Sequence, residues 1–184
     1  MSLPPVRALL GSIDDLPDDL DFEEEDGCVY LRAPIGLSVD DRWLTLIDVG
    51  FTPRRDSTPL PDLRSFDYHE FGYEITILDQ LGKVPIRSTM NRDIAKVWLP
   101  PNCSGLVLDV VSHCCRRLLQ ELTPGYIYRV TSARQVGGPA LHKHTLVTNV
   151  MQNEGYSILM DGTDDWKRTF WLMGREGFDL SYLR

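Results

Sequence analysis

The chain has 184 residues, enough for one domain whose core needs neither disulfide nor metal staples. At 42% hydrophobic and 25% charged residues it has ordinary globular usage, not that of a disordered or collagen-like chain. The net charge of −8 is concentrated in nine acids between Asp14 and Asp26; the remaining eighteen acids face nineteen bases, so the rest is close to neutral and offers no basic footprint for nucleic acid.

Residues 1–26 read as an acidic, flexible tail, because like charges at this density repel and favour solvation, and residues 27–184 as a single α+β domain. Cys28–Arg32 and Trp43–Val49 are predicted short strands, followed by a loop over Thr52–Leu63 with Pro53, Pro59 and Pro61. Asp67–Leu78 is the clearest strand. His69, Phe71, Tyr73, Ile75 and Ile77 alternate with Glu70, Gly72, Glu74 and Thr76, the pattern of a half-buried antiparallel strand. Val84–Arg87 should pair back on it, and Asn91–Trp98 should form one or two helical turns before Pro100 and Pro101.

Ser104–Leu122 is the best helix, with Val107, Val111, Cys114, Leu118 and Leu122 at helical spacing and Pro124-Gly125 as its stop. Tyr126–Thr131 follows as a strand. Pro139–Glu154 reads as a second helix, with Pro139 at its first position and Gly155 as its left-handed terminator. Tyr156–Met160 and Trp166–Met173 form a closing hairpin. The second hairpin strand is apolar on both faces, which places it inside the sheet. The expected architecture is a mainly antiparallel sheet of about five or six strands with the two principal helices on one face.

Cys28, Cys103, Cys114 and Cys115 have no CxxC spacing and make neither a disulfide framework nor a zinc pattern. No segment reaches the ~18 apolar residues of a membrane span, and the N-terminus lacks the layout of a signal peptide. The expectation is a reducing, cytoplasmic location without membrane contact.

Three constellations could carry chemistry. His142-Lys143-His144 has two imidazoles, but on a helix positions two apart diverge by about 200°, so no metal site is assigned. Cys114, His69 and His144 each fall on or beside a core face, and a Cys–His pair is a nucleophile arrangement when solvent reaches a thiol of lowered pKa. The bland alternative is that all three are packed core residues.

The third is Arg134-Gln-Val-Gly137-Gly138-Pro139, between a strand and a helix, where backbone N–H groups can hold a phosphate. Its spacing resembles the turn that binds the coenzyme A pyrophosphate in the GNAT acetyltransferases, and the order strand, Gly turn, helix, hairpin is compatible with them. The resemblance covers about 40 residues and implies a cofactor-binding role for Arg134, Gly137 and Gly138. Pro139 departs from it by removing a backbone donor.

Two functions follow. One is a non-catalytic interaction protein of the inhibitor, immunity or antitoxin kind, whose acidic tail is steered to a basic protein partner. The other is a small acyltransferase-like enzyme binding a cofactor phosphate at Arg134–Pro139. The sequence names no cofactor, substrate or oligomeric state.

Overall fold

In a computed structural model of the chain, residues 5–81, 84–89, 96–101, 103–131, 138–181 and 183 are described. The elements in order are β1 (Val6–Ala8), a 3-10 turn (Ile13–Asp15), β2 (Phe22–Glu25), β3 (Cys28–Ser38), β4 (Trp43–Ser57), β5 (Phe66–Asp79), β6 (Val84–Thr89), α1 (Ser104–Leu122), β7 (Tyr126–Val130), α2 (Gly138–Asn153), β8 (Tyr156–Thr163) and β9 (Thr169–Arg175). This is a mixed fold of helices and a mainly antiparallel sheet. The strands hydrogen-bond in the order β1-β3-β4-β5-β7-β9-β8, with β2 on β3 and β6 on β5. One parallel pairing, β5 with β7, is present at His69↔Ile127 and Glu70↔Tyr128. Among the described residues no helix is long and apolar enough to cross a membrane.

The chain divides into two compact units. The first comprises Met1–Glu23, Tyr30–Val49 and Tyr73–Cys114. Its apolar interior includes Leu31, Ala33, Ile35, Leu46, Ile47, Val49, Ile75, Ile77, Val110, Val111 and Cys114, each at most 4% exposed. β6 pairs antiparallel with β5 from Ile75↔Thr89 to Asp79↔Val84, with a bulge at Ile77/Leu78. The helical turn expected over 91–98 is present at 96–98, and 91–95 lie outside the described residues.

Residues 5–26 carry two short strands and a 3-10 turn. Val6, Arg7 and Ala8 pair with Ser38, Leu37 and Gly36, and β2 pairs with β3 as well. Gly36 makes room for this docking, since a Cβ there would lie 2.7 Å from Val6 Cγ1 and 2.9 Å from Pro100 Cγ. Leu10, Leu16 and Leu20 are buried. Ser12 and Asp15 form a capping box around the 3-10 turn. Glu23 accepts from Arg32 at 3.1 Å, and Arg32 also donates to Asp48 at 2.9 Å. Along this segment the carboxylates and the leucines do different work. Eight of the nine acids are exposed to water, where repulsion is screened, while three spaced leucines anchor the backbone.

The second unit comprises Glu24–Val29, Gly50–Gly72 and Cys115–Arg184. β9 lies between β7 and β8, antiparallel to both, as its two apolar faces imply. β4 runs on to Ser57, through a stretch expected to be loop. Pro53 is tolerated there because its fixed φ suits extended backbone and it removes only one donor. Tyr68, on the face expected to be solvated, is buried with Leu60, Leu63, Phe66, Tyr128, Phe170, Leu172, Leu180 and Leu183. The loop after β4 and the residues after β9 therefore cover that face, which alternation within β5 could not reveal. Trp166, expected within a strand, is 61% exposed in the turn before β9. Asp164 closes that turn by accepting from the Arg168 backbone N–H at 2.7 Å and from Arg168 Nε at 2.8 Å.

α1 begins and ends where its periodicity predicts, and Val110, Val111, Cys114, Cys115, Leu118 and Leu119 form its buried stripe. α2 starts one residue before Pro139 and ends ahead of Gly155, whose φ of +89° is left-handed. The four cysteines are unbridged.

Leu118 is fully buried, so Leu118→Ala should lower the unfolding free energy by about 2–5 kcal/mol in urea melts; a loss below ~0.5 kcal/mol would place that face at the surface. Deleting residues 1–26 should lower the melting temperature clearly, since each buried leucine contributes about 1.5–3 kcal/mol. An unchanged melting temperature would mean that the segment does not dock in solution.

Candidate functional site

The site is built on β7 in the second unit. Strand alternation sends Tyr126, Tyr128 and Val130 toward the aromatic cluster around Phe66 and Tyr68, and Ile127 and Arg129 to the opposite face. Arg129 is only 3% exposed. A buried guanidinium is costly unless its donors are met. Its Nη1 donates to Thr148 Oγ1 at 2.6 Å and to the His144 carbonyl at 3.3 Å, both on α2. The Thr148 hydroxyl in turn donates to the same carbonyl at 3.0 Å. Two rings flank the cation, Phe71 at 5.3 Å and Trp171 at 5.4 Å from Cζ to centroid.

His144 stacks on Trp171 with ring centroids 5.4 Å apart and planes 20° from parallel. Its Nδ1 lies 3.4 Å from Arg129 Nη2. A guanidinium can only donate, so Nδ1 is the acceptor and the ring proton sits on Nε2. Burial, and then the charge of Arg129, push the His144 pKa down to about 4. His69 stands edge-on to Phe51 at 6.3 Å, and Phe51 meets Phe71 at 5.2 Å. Burial also lowers the His69 pKa, partly opposed by Asp67.

The structure thus brings His69 and His144 into one chain of contacts: His69, Phe51, Phe71, Arg129, Trp171, His144. Cys114 is fully buried on α1, away from the solvent access that thiolate chemistry needs. His142 is exposed on α2. Arg134 and Gly137 lie outside the described residues, and Gly138 is the first residue of α2. Among the described residues no three His, Cys, Asp or Glu side chains are grouped to hold a metal ion.

Chemically, His144 is a neutral hydrogen-bond donor rather than a base. The lone pair that would take a proton is engaged by Arg129, whose charge opposes protonation. Arg129, Thr148 and Trp171 did not stand out in the sequence. The available signal was register: in Tyr126–Val130 the arginine shares its face with Ile127, a position where a charge needs a partner.

Protein-family models, curated proteins and solved structures show no match to the chain.

The depressed His144 pKa fixes a pH dependence. As pH falls below about 6.5 the unfolded chain takes up a proton that the folded chain refuses until about 4, so stability is full above that window and declines through it. His69 has the same sign. Urea melts between pH 7 and pH 4 should show a decline that His144→Gln reduces, because the amide oxygen can still accept from Arg129. An equal decline in the variant would assign the effect to other groups.

Proposed function

We propose that the chain is a non-catalytic interaction protein whose acidic segment Asp14–Asp26 docks on a basic protein partner. One observation carries the reading: eight of its nine acids are exposed on a backbone held by β1, β2 and three buried leucines. Fixed charges lose little freedom on binding, so they give both electrostatic steering and preorganisation. Phe22 within the segment and Leu9 ahead of it, 40% and 38% exposed, add apolar contact area. The site chemistry supports the non-catalytic half, since His144 is locked against Arg129 and Cys114 is out of reach of solvent. Unbridged cysteines suit a reducing, cytoplasmic location.

A second reading, an acyltransferase-like enzyme, is favoured by the order β7, α2 and hairpin β8–β9, in keeping with the GNAT resemblance. It would place a cofactor phosphate at Arg134, Gly137 and Gly138. We also assign both helices to the sheet face that carries Arg129 and Trp171. Arg129–Thr148 and His144–Trp171 support this for α2, and the bonds of Glu154 to Arg116 and Gln120 support it for α1.

Carbodiimide coupling of carboxylates to partner lysines tests the main reading. Cross-linked peptides should come from residues 8–32, and Asp18→Asn, Asp19→Asn, Glu24→Gln and Glu25→Gln together should remove them and flatten the salt dependence of binding without lowering the melting temperature. Cross-links confined to other surfaces would overturn it. Saturable coenzyme A binding by calorimetry would favour the enzyme.

A further inference from the structure

We propose that Ser57 is a phosphate acceptor for a protein kinase that reads two arginines just before its target serine. The stretch is Arg54-Arg55-Asp56-Ser57, at the end of β4 in the second unit. Arg55 and Asp56 are exposed and Ser57 is partly so. The backbone as far as Arg55 is an extended strand, the shape in which an acceptor segment lies across a kinase cleft, and Asp56 alone departs from it. Arg54 bonds Glu70 at 3.0 and 2.8 Å, but the two side chains are 48% and 35% exposed. A pair this open is weak because solvent screens it, so an acidic cleft can take the guanidinium over.

The hydroxyl is similarly available. Ser57 Oγ donates to the Arg55 carbonyl at 2.9 Å, a local contact at the surface. Asp56 has φ +46°, and its N–H is held by Asp67 Oδ1 at 2.8 Å, so the one kink before the acceptor rests on a surface bond. The neighbouring hydroxyl belongs to the exposed Thr58, one residue further from the arginines. Thr58 Oγ1 lies 3.3 Å from Ser65 Oγ, and Pro59 and the buried Leu60 follow it. The arginines stand two and three residues before Ser57, and that spacing, with the proline after Thr58, selects Ser57 over Thr58.

In the reaction Ser57 Oγ attacks the γ-phosphorus of magnesium ATP. The Oγ–P bond forms, the bond from that phosphorus to the bridging oxygen of ADP breaks, and the hydroxyl proton passes to the kinase's carboxylate base. The product can no longer donate to the Arg55 carbonyl. It sets a near-dianion among Arg54, Arg55, Asp56 and Asp67, which draws Arg54 from Glu70 and repels Asp67 from the Asp56 N–H.

The test treats the full folded chain with magnesium ATP and the catalytic domain of a kinase selective for Arg-Arg-x-Ser, followed by intact mass and phosphopeptide mapping. One phosphate on Ser57 is expected, absent in Ser57→Ala and retained in Thr58→Ala. The double variant Arg54→Ala, Arg55→Ala should slow transfer by about tenfold or more. Phosphate on Thr58 or elsewhere, or an unchanged rate in the double variant, would overturn the proposal. So would an unmodified folded chain, whether or not a peptide of residues 51–61 is modified in parallel, because the claim concerns the folded surface.

Discussion

The second unit depends on a five-residue strand with no spare positions. β7 pairs parallel with β5 at His69 and Glu70 and antiparallel with β9 from Tyr126↔Gly174 to Val130↔Phe170. Because side chains alternate, the same pairing that places Tyr128 among Tyr68 and Phe170 also drives Arg129 to the other face. A one-residue slip would put the guanidinium among tyrosines and phenylalanines and leave Tyr128 facing α2. Arg129 thus acts as a register lock. Its bonds to Thr148 and His144 can form only when the strand and α2 are both in place.

That lock explains the chemistry of the two histidines. A neutral imidazole with its accepting nitrogen on an arginine and its face on a tryptophan is a packing element with one remaining N–H donor. Desolvation and a neighbouring cation act in the same direction on it, so its low pKa needs no catalytic explanation. The aromatic chain through Phe71 and Phe51 extends the same dry environment to His69.

The acidic segment shows a different balance. Repulsion among nine carboxylates is a long-range, solvent-screened cost spread over many residues. Burial of Leu10, Leu16 and Leu20 and pairing with β3 are local gains at fixed points. Glu23 joins the two effects, since its bond to Arg32 continues through Asp48 to the Thr76 hydroxyl at 2.7 Å.

The sequence by itself determined the elements whose signal is local. α1 was legible to the residue because five apolar positions recur within it at helical spacing and a Pro-Gly stop follows its end. β5 was legible from strict alternation, α2 from Pro139 and Gly155, and the interior place of β9 from apolar residues on both faces. Other features needed chain-distant partners that no local pattern encodes. Tertiary structure alone decided that Tyr68 is covered by Leu60, Leu180 and Leu183, that Trp166 leaves its strand for a turn closed by Asp164, and that the leucines of an acidic stretch find a surface to dock on. It also decided the site. His69 and His144 were visible as titratable residues near core faces, but Arg129, which fixes the tautomer and charge of His144, becomes meaningful only when β7 and α2 meet. Periodicity reports which face a side chain takes; what stands opposite that face is set by contacts between residues far apart in the chain, and the chemistry follows from those contacts.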